Sequence, residues 1–124
     1  MKRIKTYLTL VIIFLLFNSC DDSKLFSLES DSSGVIFENK LEYTEEFNPY
    51  TYRNFYNGGG VALGDINKDG LIDIYLTGNI VENKMFLNKG NFQFEDITEV
   101  SGLACTNVWS TGATFADING DGLL

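Results

Sequence analysis

Residues 60–74 read GVALGDINKDGLIDI. Within them, Asp65-Ile66-Asn67-Lys68-Asp69-Gly70-Leu71-Ile72-Asp73 sets oxygen-bearing side chains at loop positions 1, 3, 5 and 9, with glycine at 6. A short loop wraps a hard cation in this way. Alternate side chains turn inward, glycine permits the sharp bend, and the position-7 carbonyl, here that of Leu71, adds a ligand. A helix-flanked loop of this kind would place a bidentate Glu at position 12. Here Leu76 stands there, and Ile72 to Thr77 reads as a β-type run. The loop is therefore expected between two strands. The competing reading is a solvated Asp/Asn/Gly turn that holds no metal.

The pattern returns fifty-two residues on, as Asp117-Ile118-Asn119-Gly120-Asp121-Gly122-Leu123. The lead-ins align as well, Gly60-Val61-Ala62-Leu63-Gly64 against Gly112-Ala113-Thr114-Phe115-Ala116. Two copies at a fixed offset weaken the accidental-turn reading. A long period carrying several short strands is the signature of a propeller or another stacked β-array. Position 9 of the second copy would be residue 125, so the 124 residues are expected to be part of a longer protein.

Length allows at most one small domain. The chain carries 9 basic and 17 acidic residues. Without Lys2, Arg3 and Lys5, 6 basic residues face 17 acidic ones, a net charge of about −11. That balance argues against binding nucleic acid through bulk electrostatics and suits a surface that recruits divalent cations. High aromatic content and a single Pro exclude a disordered composition. The absence of His excludes His-based triads and most zinc sites within these residues.

The N-terminus reads as a targeting segment over residues 1–19. Lys2, Arg3 and Lys5 are basic, and Tyr7 to Phe17 is an apolar run too short for a comfortable membrane span. Asn18-Ser19-Cys20 follows. A small residue before a cysteine after such a run resembles a bacterial lipoprotein signal, in which Cys20 is acylated and becomes the mature N-terminus. Phe17 departs from the usual Leu of that signal. Acyl chains would anchor the protein in the membrane; an ordinary secretory signal or an uncleaved anchor is the alternative. Asp21-Asp22 resembles the acidic export tag of surface lipoproteins in Bacteroidetes-type bacteria.

Residues 20–33 read as a flexible tether. Val35-Ile36-Phe37 is a candidate short strand, Lys40 to Asn48 is irregular, Asn48-Pro49 is a turn signal, and Thr51 to Tyr56 is expected to be extended. Asn57-Gly58-Gly59-Gly60 lets the backbone turn tightly or approach another strand closely. A phosphate-cradling loop is disfavoured there, since the Lys-Ser/Thr of a P-loop and its helix are missing. Val61-Ala62-Leu63 is expected as a buried strand and Asp73 to Thr77 as the next, with a turn at Gly78-Asn79. Lys84 to Phe94 reads as a hairpin turning at Asn88-Lys89-Gly90-Asn91, with Phe92 and Phe94 on one packed face. Asp96 and Thr98 cap or turn the segment to Gly102. Trp109 packs between repeats or, alternatively, offers a carbohydrate-stacking platform. Cys105 is expected as a buried free thiol rather than a nucleophile.

Together the loops and hairpin resemble FG-GAP/VCBS repeat proteins. The resemblance is closer to the N-terminal part of bacterial lipoproteins with an ASPIC/UnbV-type (cartilage acidic protein-like) module. The matching text is FYNGGGVALGDINKDGLIDIY at 55–75, FLNKG at 86–90, FEDIT at 94–98 and WSTG at 109–112. The resemblance implies an all-β fold over 34–124: the start of an integrin-α-like β-propeller of about seven blades, with one blade and part of a second present. It implies Ca²⁺ ligands Asp65, Asn67, Asp69, the Leu71 carbonyl and Asp73 in the first loop, and Asp117, Asn119, Asp121 and the Leu123 carbonyl in the second. The implied function is extracellular binding or adhesion, to a protein or glycan ligand, at the cell envelope. A lipid anchor at Cys20 would hold the protein on the outer membrane, facing outward. A nucleic-acid partner is not expected, although some members carry an RNA-binding label, because the basic stripe it needs is missing. A part in a polysaccharide-processing enzyme is the alternative. The carboxylates here are better explained as ligands than as an acid/base pair, because they share one tight loop.

Overall fold

The computed structural model describes residues 25–28 and 31–124. The leader over 1–19, Cys20 and residues 21–24 and 29–30 of the tether lie outside the described residues. Four strands, β1 (Val61–Gly64), β2 (Asp73–Leu76), β3 (Lys84–Asn88) and β4 (Phe94–Asp96), form one antiparallel sheet in the order β1-β2-β3-β4. A single turn of helix, α1 (Thr98–Ser101), follows. Among the described residues no helix is long and apolar enough to cross a membrane. A four-stranded up-and-down sheet with so little helix is all-β and blade-like.

Register explains which side chains meet. Val61 pairs with Leu76 and Leu63 with Ile74, whereas Ala62 faces Tyr75 and Gly64 faces Asp73. Ile74 continues to Phe86, and Tyr75 to Met85. The strand period of two thus sends Val61, Leu63, Ile74 and Phe86 to one face, and Ala62, Gly64, Tyr75 and Met85 to the other. Met85, Phe86 and Ala62 are buried, with Phe55 completing the apolar core.

β1 is buried on one side only. Ala62 is covered, but Val61 and Leu63 are 58% and 62% exposed; the expected fully buried strand is corrected to a half-buried edge strand. The second copy of the lead-in lies against the covered face. A Cβ on Gly60 would stand 2.8 Å from the Gly112 Cα, and one on Gly64 would stand 3.0 Å from the Phe115 ring. The small residues at 60, 62 and 64 are therefore the surface onto which the next repeat packs, and a side chain at Gly60 would push two backbones apart.

The lead-in differs from its sequence reading. Val35–Phe37 is not a strand, and 51–57 is a run of turns rather than an extended segment. Asn48 organises the entry to those turns: its side-chain oxygen accepts the N–H groups of Tyr50 and Thr51, and its amide donates to the carbonyls of Thr44 and Glu45. Backbone bonds from Tyr52 to Asn48, Phe55 to Tyr52 and Asn57 to Asn54 close the rest. The turns fold the aromatics inward. Trp109 stacks on Phe47 at 6.0 Å, takes the edge of Tyr52 at 4.8 Å and lies 5.6 Å from Phe55. Its faces are thus occupied by the protein itself, which favours the packing role over the carbohydrate platform.

Asn79 ties these parts together and is 1% exposed. Its amide donates to the carbonyls of Gly58 (3.1 Å) and Ser110 (2.9 Å), its oxygen accepts from the Asn39 amide (2.7 Å), and its N–H donates to the Asn39 oxygen (2.8 Å). Backbone bonds from Ile80 to Val108 and from Ser110 to Gly78 flank it, so residues 108–110 add a short rung beside the end of β2.

The hairpin turns as expected, but Phe92 sits in the turn with φ 57° and is 64% exposed, so it does not share a packed face with Phe94. Beyond β4, Thr98 donates its hydroxyl and N–H to the Asp96 carboxylate and accepts the Met85 N–H at 3.0 Å. Gly102, at φ 71°, ends α1 in the left-handed conformation usual for a helix stop.

Two outcomes follow from these contacts. Asn79→Asp replaces a donor that serves two carbonyls with an oxygen that repels them, and should cost about 3 kcal/mol of stability in urea titration. Asn39→Ala, which removes one side of the pair, should cost less. The Asp96 carboxyl is pushed up by burial, but the Thr98 hydroxyl and N–H and the Lys84 ammonium outweigh this and hold it below its ordinary value of 3.8. A depressed folded-state pKa gives stability that is present above the unfolded value and lost as pH falls through the folded one. The stability gap between the protein and Asp96→Asn should therefore be widest near neutrality and narrow as pH falls through and below the ordinary carboxylate range.

Candidate functional site

Loop 1 (residues 65–73) joins β1 to β2. Its first carboxylate, Asp65, receives the N–H of Asp69 (3.1 Å) on one oxygen and that of Gly70 (2.8 Å) on the other. Asn67 accepts from the Asp69 N–H at 3.1 Å and donates its amide to the Asp69 carboxylate at 2.9 Å. The other Asp69 oxygen takes the Leu71 N–H at 2.8 Å. Lys68 and Gly70 hold φ of 60° and 83°. Two left-handed residues in so short a span are what turn the N–H groups inward towards position 1.

Loop 2 (residues 117–123) repeats this arrangement. Asp117 receives the Gly120 and Gly122 N–H groups, both at 2.6 Å. Asn119 accepts the Asp121 N–H at 3.2 Å and donates to the Asp121 carboxylate at 2.9 Å, and Leu123 donates its N–H to Asp121 at 2.7 Å. Gly120 and Gly122 hold φ of 75° and 82°. The position-6 N–H on position 1, the paired bonds between positions 3 and 5, and the position-7 N–H on position 5 recur in both copies, whereas the second N–H on position 1 comes from position 5 in loop 1 and from position 4 in loop 2.

The position-9 residue behaves differently from its loop-mates. Asp73 opens β2 and is fully buried. One carboxylate oxygen accepts the Ile66 N–H at 2.9 Å and the other the Asn88 N–H at 2.8 Å. Asn88 also donates its amide to the Ile72 carbonyl (2.9 Å) and accepts from Gly90 (2.8 Å). Asp73 therefore fastens loop 1 to the β3–β4 hairpin. Among the described residues no Lys or Arg forms an ion pair with it. A buried carboxylate served by two neutral donors alone is electrostatically under-compensated.

The structure brings Asp65, Asn67 and Asp69 into mutual contact, and Asp117, Asn119 and Asp121 likewise. It does not gather the carboxylates to a point: among the described residues no three His, Cys, Asp or Glu side chains stand close enough to hold a metal ion. In donor chemistry the residues fit a hard dication, since all are oxygen ligands and the buried Asp73 lacks a cationic partner. In loop 2 the N–H of Gly122, foremost among several backbone donors, holds the Asp117 carboxyl below its ordinary range. The Leu123 N–H and the Asn119 amide do the same for Asp121. Both carboxylates are thereby kept charged, as cation ligands must be.

Three residues here carry weight that the sequence reading gave only to turns or left unassigned: Asn88, Asn79 and Lys68. Asn followed by Lys-Gly after a strand signals a turn, but the Asn88 bond to Asp73 joins positions fifteen residues apart and has no local signal. Cys105, expected to be buried, is an exposed free thiol at φ 49°. It sits in the connection between α1 and the second lead-in, where the backbone turns back to reach Trp109.

A family model described as the FG-GAP-like repeat matches residues 65–124. No curated protein and no solved structure matches the chain. The matched span opens on Asp65, position 1 of loop 1, takes in β2 to β4 and α1, and contains loop 2. Residues 65–124 are thus similar to an FG-GAP-like repeat, and with β1 they build one antiparallel, blade-like sheet.

Proposed function

We propose that the intact protein is a calcium-stabilised β-propeller scaffold, anchored in the cell envelope through an acylated Cys20 and displayed outward on the outer membrane, where it binds an extracellular protein or glycan. The observation that carries this reading is the equivalence of the two loops. Copies fifty-two residues apart share a left-handed backbone at positions 4 and 6, the position-6 N–H on the position-1 carboxylate, and the amide-to-carboxylate bond between positions 3 and 5. A repeated shape that concentrates oxygen side chains, with one lysine against five carboxylates over the two loops, is suited to a hard cation.

Calcium would be structural. Asp65, Asn67, Asp69, the Leu71 carbonyl and Asp73 would hold the first ion, with Asp117, Asn119, Asp121 and the Leu123 carbonyl contributing to the second. The ion would replace mutual repulsion among carboxylates with coordination, and extracellular modules of this type bind on the order of 10⁻⁴–10⁻³ M. The envelope anchor and the ASPIC/UnbV-like grouping rest on the leader, on Cys20 and on the motif text.

Asp69→Ala in the intact protein should lower the melting temperature by about 4 °C in millimolar calcium and by about 1 °C or less in chelator. Equal losses in both media would count against the metal role. Incubation with glycans, with and without calcium, should leave glycan length unchanged; shortened products would replace the scaffold with an enzyme.

A further inference from the structure

The two loops are joined by one side chain. The Lys68 ammonium, at position 4 of loop 1, donates to the Asp121 carbonyl of loop 2 at 3.1 Å. It also lies over Gly122: a Cβ there would stand 3.0 Å from the Lys68 Nζ. Lys68 holds a left-handed φ of 60°, where glycine is the natural occupant, and loop 2 does place glycine, Gly120, at its own position 4. The first loop thus carries a lysine where the backbone favours glycine, and the lysine spends its charge on the neighbouring repeat.

We propose that Lys68 is a built-in counter-cation for loop 2, which lowers that loop's affinity for a dication and makes loop 1 the tighter site. The proposal rests on the calcium reading above. Asp117 and Asp121 are exposed and have no ion pair among the described residues. The ammonium reaches loop 2 through a carbonyl, so it holds the turn in shape and supplies a positive charge without removing a carboxylate ligand. A dication entering loop 2 would find a like charge within one Debye length, about 8 Å at physiological ionic strength. The same ammonium stabilises the loop before a cation arrives, so less is gained when one binds. Because Lys68 belongs to loop 1, ordering of loop 1 by its own ion fixes the lysine's backbone and transmits the effect to loop 2, a coupling that must be reciprocal.

The test is calcium titration of the intact protein by calorimetry, with Asp117→Asn identifying the heat that belongs to loop 2. Lys68→Gln keeps a hydrogen-bond donor but removes the charge, whereas Lys68→Arg keeps the charge. Lys68→Gln should tighten the loop 2 component about three- to tenfold, with the gap narrowing as salt is raised. Loop 1 should change less than about twofold, and Lys68→Arg should behave like the parent. In chelator, Lys68→Gln should melt below the parent, and saturating calcium should close that gap. Unchanged or weakened loop 2 binding in Lys68→Gln, beside two intact calcium components in the parent, overturns the counter-cation role and leaves the cation reading standing. A parent that takes up no calcium overturns both. A melting loss in Lys68→Gln that is equal in chelator and calcium reduces Lys68 to a structural clasp and also overturns the proposal.

Discussion

The buried carboxylate of Asp73 is the interaction on which the rest of the blade depends. It sits where loop becomes strand, and its two oxygens hold the N–H of Ile66 on one side and of Asn88 on the other. One charged group thus fixes the loop's entry, the start of β2 and the end of β3. Taking an ionised carboxylate out of water costs several kcal/mol, and N–H donors offset only part of it. The cost is borne because no neutral side chain of that length could bond both N–H groups at once. A loop pinned in this way keeps its carboxylates at fixed positions, which is what ion binding requires of its ligands.

Small residues form the second constraint. Gly60, Ala62 and Gly64 line the face of β1 that receives Gly112 and Phe115 from the next repeat. A large side chain on that face would push the second lead-in off β1; a large one on the opposite face, as at Val61 and Leu63, does not. Packing of this kind is a nearest-neighbour affair: each repeat completes the core of the one before it. It also brings the loops into register, since loop 2 follows directly from the strand-like lead-in lying on β1. The contact between Lys68 and Asp121 is a consequence of that stacking.

How much of this was legible in sequence depended on the range of the interaction. β1, β2 and the β3–β4 hairpin were visible because alternation and turn residues are local signals, and the loop positions because Asp, Asn and Gly recur at fixed spacing. The lead-in was misread for a physical reason. Tyr52, Phe55 and Tyr56 have strand-like propensity, but backbone bonds from Phe55 to Tyr52 and from Asn57 to Asn54 close turns there, and Trp109 packs on Tyr52 and Phe55; tertiary contact overrode propensity. Phe92 followed the alternation of a strand yet fell in a turn, because the hairpin closes at Asn88 and Phe94. Asn79 read as a turn residue, and its partners at 39, 58 and 110 carry no pattern that one sequence can reveal.

The two loops then differ in a way that their shared motif conceals. Position 4 is Lys68 in loop 1 and Gly120 in loop 2, and the Lys68 ammonium reaches across to the Asp121 carbonyl. In a stacked array, like-charged loops accumulate along the line of repeats, and their repulsion grows with each repeat added. Dications can neutralise that line, but only after they bind. Under the calcium reading proposed above, a lysine lent from one repeat to the next would act before any ion arrives. A glycine at position 4 suits the backbone best; a lysine there trades local ease for charge balance across an interface.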